Sequence, residues 1–145
     1  MKISTKGRYA LRLMLDLAMN DGGSNIPLKA IAERQNISMK YLEQIIGILV
    51  RADYVQSVRG SSGGYRLSRP AETYTVGSIL RQTEGSLAPV YCVDCDEEAC
   101  EKAETCATSW VWEQINDAIS GVVDRLTLAD VCRHQQELLG QEKSE

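Results

Sequence analysis

Four of the five cysteines fall between positions 92 and 106, as Cys92, Cys95, Cys100 and Cys106, interleaved with Asp94, Asp96, Glu97, Glu98, Glu101 and Glu104. Carboxylates at that density oppose thiolate formation by like-charge repulsion, so a nucleophilic or easily oxidised cysteine is poorly supported. A bound cation reverses the argument. Thiolates ringed by acids are stabilised by zinc or iron, and the metal would order a segment that has no core of its own. Zinc generally prefers two knuckle-like cysteine pairs, and only Cys92 and Cys95 form a close pair. Iron-sulfur clusters accept irregular spacings but need four ligands. Spacing leaves both metals open, with the iron-sulfur cluster slightly favoured. Disulfides are opposed by an expected cytoplasmic location: nothing begins like a secretory signal, and no apolar run reaches membrane-spanning length. Cys132, four residues after Leu128 on an apolar face, reads as buried core, and His134 as a surface residue near a helix end.

A second set of residues suits nucleic acid. Residues 26–50, IPLKAIAERQNISMKYLEQIIGILV, read as two short helices joined by a tight turn. Leu28 and Ile31 share one face of the first helix, and Ala32 is small where a second must cross. Asn36 can take the left-handed conformation that ends a helix, and Ser38 can cap the next. Leu42, Ile45, Ile46 and Leu49 then bury the second helix, leaving Ser38, Met39, Lys40, Tyr41, Glu43 and Gln44 at its outward start. That is the end which reaches base edges when such a helix enters a major groove. Lys40, Tyr41 and Gln44 would contact bases or phosphates. Glu43 costs affinity near an anionic partner but can accept from a cytosine amino group, so it is expected to set specificity.

The charge distribution agrees. Residues 1–82 carry 12 Lys and Arg against 6 Asp and Glu, whereas residues 83–145 carry 4 against 14. A basic amino-terminal half fits a phosphate-rich partner, and an acidic remainder would be repelled by it.

These residues must be held by regular elements. Ser4 or Thr5 can cap a first helix with a stripe of Ala10, Leu13, Met14, Leu17 and Ala18; Leu11 and Leu15 add a second strip, which implies two contacts, one with its own domain and one elsewhere. Lys2, Lys6 and Arg8 sit where a helix start attracts anions. After the helix-turn-helix, residues 54–58 and 65–67 form a hairpin around Arg59-Gly60-Ser61-Ser62-Gly63-Gly64, the chain order of a winged helix. Arg59 and Arg66 at the base of that loop suit a narrow minor groove, and Gly60 lets the backbone approach the sugar-phosphate chain. Thr75 caps a brief helix with Val76, Ile79 and Leu80 inward, closed by Gly85.

Residues 86–105 show no periodicity and form a long loop that needs a function or a ligand. Val111, Trp112, Ile115, Ala118, Ile119, Val122, Val123 and Leu126 then make a stripe about 27 Å long, more apolar face than a small winged-helix domain covers, so pairing across a two-fold axis is expected. Thr127 and Asp130 form a capping box for a last helix carrying Leu128, Val131, Cys132, Gln135 and Leu138, with Gly140 as its stop. The division expected is 1–84 winged helix-turn-helix, 85–107 cysteine loop, 108–140 dimerisation and C-terminal helices, and 141–145 a mobile polar tail. The fold class is mainly α, and because Phe is absent the core must rest on Leu, Ile, Val and a few Tyr and Trp.

The blocks MKISTKGRYALRLMLDLA, LKAIAERQNISMKYLEQI, VRGSSGGYRLSRP and CEKAETCATSWVWEQI, in this order over residues 1–126, resemble the iron-sulfur cluster regulator (IscR) family. Its relatives include nitric-oxide-sensing (NsrR) and cysteine-metabolism (CymR) regulators. The resemblance implies a dimeric winged-helix transcription regulator, usually a repressor, and not an enzyme. Members with the cysteine loop hold an iron-sulfur cluster near the dimer interface, a 2Fe-2S cluster being favoured here over 4Fe-4S, and cluster state alters binding to a palindromic operator on double-stranded DNA. The family's three ligands map onto Cys92, Cys100 and Cys106. Ser109 stands where some members have a histidine, and Arg8 where others have an acidic ligand, so the fourth ligand falls to Cys95 or to a carboxylate of the partner chain. Two alternatives remain: a metal-free regulator signalled by a protein partner, as in the cysteine-metabolism relatives, and an electron-transfer iron-sulfur protein.

Overall fold

The computed structural model describes residues 2–94 and 100–144, which hold six α-helices and one β-hairpin. Helix α1 (Thr5–Met19) is the central element and packs on four other helices. Ser4 caps it by accepting from the Gly7 N–H at 3.1 Å. Its stripe is buried as expected at Ala10, Leu13, Met14 and Leu17. The second strip also finds partners within the chain: Leu15 packs against the main core, and Leu11 bridges it to a smaller cluster of Val76, Leu80 and Leu87.

Helices α2 (Leu28–Gln35) and α3 (Met39–Arg51) follow, then strands β1 (Val55–Val58) and β2 (Gly64–Leu67), paired antiparallel with Val55 opposite Leu67 and Ser57 opposite Tyr65. Tyr65 also exchanges both backbone hydrogen bonds with Ile26, each 2.8 Å, so the hairpin is stitched to the segment that opens α2. Glycine is required beside that stitch. Gly64 has φ +146, and a Cβ there would lie 2.6 Å from the Ile26 carbonyl.

A 3-10 turn (Ala71–Thr73) leads into α4 (Val76–Glu84), capped by Thr75 and closed by Gly85. A second 3-10 turn (Tyr91–Val93) precedes α5 (Ala107–Val123) and α6 (Leu128–Ser144). The Thr127–Asp130 capping box forms in both directions, at 3.0 and 3.1 Å. The turn between α5 and α6 is bolted to the head: Val76 N–H donates to the Leu126 carbonyl at 2.8 Å, and Leu128 N–H to the Tyr74 carbonyl at 2.9 Å.

Four expectations change. Helix α6 runs through Gly140 to Ser144, because a glycine ends a helix only when its backbone leaves the helical region, and inside one it costs roughly 1 kcal/mol. Helix α5 stops at Val123, so Leu126 belongs to the turn. The tryptophans stay out of the core: Trp110 is 65% exposed and Trp112 half-buried. Cys132 is half-buried rather than enclosed. No described helix is long and apolar enough to cross a membrane.

Candidate nucleic-acid interface and thiol loop

Asn36 adopts φ 53, ψ 49 and ends α2, and Ser38 then accepts from the Tyr41 N–H at 3.2 Å. With Leu42, Ile45, Ile46 and Leu49 buried, Ser38, Met39, Lys40, Glu43 and Gln44 are all exposed on one end of α3. Tyr41 differs from the others. It is half-buried, edge-on to Tyr9 with ring centroids 5.5 Å apart, so part of its ring serves packing.

A polar network that periodicity does not reveal holds this pair of helices in place. Asp16, 3% exposed on α1, accepts from Arg34 Nε at 3.0 Å, Arg34 Nη2 at 2.7 Å and Gln35 Nε2 at 3.0 Å. Arg12 in turn donates to Gln35 Oε1 at 3.1 Å and to the Gln35 carbonyl, and lies over the Tyr9 ring. A carboxylate out of water must be paired, and here the pairing fastens the end of α2 to α1. The Asp16 hydrogen bond raises the Arg34 pKa. The signal in the sequence was an acid set between Leu15 and Leu17.

In the wing, Arg59 directly follows β1 and is exposed, and Gly60 turns the chain at φ +111. Arg66 lies within β2, where its Nε donates to Gln56 Oε1 at 3.1 Å on the face opposite Ser57 and Tyr65. The two arginines therefore occupy different parts of the hairpin.

The described thiols of the loop lie in the segment between α4 and α5. Cys92 and Cys100 are half-buried, and both raise the pKa of the Tyr91 phenol, which hydrogen-bonds to Cys92. Cys106 is the exposed residue that precedes α5. Its Sγ is 3.1 Å from the Thr108 hydroxyl, and that contact, with the amides of Ser109 and Thr108, lowers its pKa. Cys95 lies outside the described residues. Among those described, no three His, Cys, Asp or Glu side chains converge as metal ligands. The donor chemistry nonetheless fits a soft metal or cluster: thiols at both ends of the loop, one with a stabilised thiolate.

One contact joins this loop to the head, and another joins the far end of α5 to it. Leu87 is buried with Val76 and Leu80. Arg81 on α4 grips Asp124 at the end of α5, with Nη2 to Oδ2 at 3.0 Å, and the pair depresses the Asp124 pKa. Cys132 belongs to neither site; burial, then Glu72, raises its pKa. His134 is exposed, 3.7 Å from Glu137.

Residues 3–134 match the Rrf2 family, described as iron-dependent transcriptional regulators. The chain belongs to the Rrf2 family. Among the relatives of this Rrf2 chain is the protein rrf2 of Nitratidesulfovibrio vulgaris Hildenborough, 39% identical over 135 residues, spanning 92% of this chain and 88% of that one. The solved structure of CymR, described as the global cysteine regulator of B. subtilis, superposes with a TM-score of 0.78 at 40% identity, covering 92% of this chain and 98% of CymR. T. potens IscR superposes at 0.76 with 40% identity, covering 95% and 90%. As an Rrf2 regulator the chain is a winged-helix DNA-binding protein of transcription and not an enzyme.

Proposed function

We propose that this Rrf2 protein is a homodimeric repressor of a palindromic operator, and that an iron-sulfur cluster on Cys92, Cys100 and Cys106 controls its binding. One observation carries the reading: the loop with the thiols is joined to the DNA-facing head through α4 and to the exposed helix α5 at its other end. A change of order in the loop therefore has a mechanical route to the recognition helices. Trp110, Val111, Ile115 and Val122 are exposed along α5, the apolar face that a second copy would cover.

Residue roles follow from position. Lys40 and Gln44 meet phosphate and base edges, Ser38 and Met39 seat the start of α3 in the groove, and Glu43 discriminates at a cytosine. Tyr41 contributes its hydroxyl edge while its ring rests on Tyr9. Arg59 and Gly60 enter the minor groove, and Arg66 supports the wing through Gln56. Cys92, Cys100 and Cys106 would hold the cluster, with Cys95 as the fourth donor. A cluster, when bound, supplies a centre that responds to redox state, iron supply or nitric oxide. Tyr91 donates to the Cys92 sulfur, and Thr108 orients Cys106.

The lack of convergence among the described donors favours a second reading, a metal-free regulator controlled through a protein partner. One preparation decides between them. Anaerobic purification with absorption spectrum and iron and sulfide counts should give a coloured protein with iron and sulfide in equal amounts. A colourless protein that still selects a symmetric site from random duplexes would support the metal-free reading. A coloured protein that selects no duplex sequence would point to electron transfer.

A further inference from the structure

We propose that Arg51 is a backbone-phosphate anchor of the DNA interface, seated in the groove between α3 and the wing. The inference rests on the DNA-binding reading above and adds a residue and a path for one strand. The groove has a volume of about 290 Å³ and is lined by Ile46, Gly47 and Val50 of α3, by Ser57 and Tyr65 of the wing, and by Glu43 and Arg51, which lie about two turns apart along α3. Of the eight arginines in the basic half, Arg8, Arg12, Arg34, Arg66, Arg69 and Arg81 all donate to named protein groups. Arg51 and Arg59 have no such partner among the described residues. Of the two, Arg51 lines the groove, beside the passage that a sugar-phosphate chain must take when α3 lies in one groove and the wing in the next.

Three details place the phosphate at the Arg51 end. The guanidinium folds back one turn over Gly47: a Cβ at that position would lie 3.5 Å from Nη1, so the glycine leaves the helix surface open beneath the arginine. The hydroxyls of Ser57 and Tyr65 have no hydrogen-bond partner among the described residues and add donors on the wing side. Glu43 repels an anion from the opposite end. A planar fork of N–H donors matches phosphate oxygens two at a time, as a point charge does not.

The test titrates the full-length protein and its Arg51→Gln and Arg51→Lys variants against a short mixed-sequence duplex and a duplex selected from a random pool, at KCl from about 50 to 200 mM. Arg51→Gln should weaken binding to both duplexes by the same factor and make the slope of log affinity against log salt shallower by about one. The affinity ratio of unaltered protein to variant should then shrink about three- to fourfold across that salt range. Arg51→Lys should keep the slope, because its charge is retained. Equal affinity and slope for Arg51→Gln would overturn the inference, as would a loss confined to the selected duplex, which would mean base reading. A lowered thermal midpoint with an unchanged slope would also overturn it, assigning Arg51 to the charge at the end of α3 instead. If the unaltered protein binds neither duplex, the DNA reading itself fails and the inference falls with it.

Discussion

Arg59 extends from the end of β1 with no protein acceptor among the described residues, so its charge is free for DNA. Arg59→Ala should weaken operator binding and make its salt dependence shallower by about one phosphate's worth; unchanged affinity at two salt concentrations would remove the wing from the interface. Asp16 acts at a distance from DNA. Asp16→Asn keeps the volume but loses the charge that organises Arg34 and Gln35. Because Arg34 is partly exposed and can rehydrate, the expected loss is about 1–3 kcal/mol, read by urea denaturation. Surplus loss of DNA affinity in the folded variant would show that α2 positions α3; no change in stability would contradict the network's role. The partners of Asp16 and of the buried Tyr74 were not legible in the sequence. Tyr74 accepts from Arg69 N–H and donates to the Tyr54 carbonyl, and Asp16 meets groups 18 and 19 residues away. A pattern of apolar spacing carries no information about such polar pairs. Asn36 and Ser38 were legible because their effects are local: one backbone conformation and one cap.

Among the elements, α4 and α5 are held by Arg81 and Asp124, and this pair has a pH signature. The hydrogen bond and charge of Arg81 depress the Asp124 pKa, so the unfolded chain takes up a proton there before the folded one does. Its contribution is present above the ordinary carboxylate range and is lost as pH falls through the depressed value, below about pH 4. Both side chains are more than a third exposed, so the effect is small. Asp124→Asn should flatten the acid limb of the thermal midpoint against pH and leave the neutral region nearly unchanged; an identical acid limb would mean that the pair does not hold in solution. The elements themselves were largely readable. Caps at Ser4, Ser38, Thr75 and Thr127 lie where the sequence put them, and the hairpin follows its glycines. Gly140 misled because composition marks where a helix can end, whereas the backbone conformation decides where it does.

At the level of the whole molecule, the stripe on α5 was visible in sequence, but its division was not. Ile119 and Val123 pack against the chain's own small cluster, while Ile115 at 36% exposure and Val122 at 47% are left outside. Only a structure separates the half that its own fold covers from the half left for the proposed second copy. Ile115→Glu should therefore convert a dimer to a monomer in sedimentation equilibrium without unfolding it, and lower affinity for a symmetric site more than for a half-site. A variant that remains dimeric would move the interface elsewhere. The thiol loop was legible as a donor set but not as a geometry, since spacing says which sulfurs are near in the chain and not how they converge.

In the proposed function the thiol loop and the DNA-binding head are energetically coupled, and coupling of that kind typically changes affinity about 5- to 150-fold. The direct measurement is the dissociation constant of one selected duplex for anaerobically prepared, cluster-loaded protein and for the same preparation after cluster removal. The two constants should differ by at least about fivefold, a difference abolished when Cys106 is replaced by serine. Equal constants for the two forms, in a protein shown to carry the cluster, would contradict it.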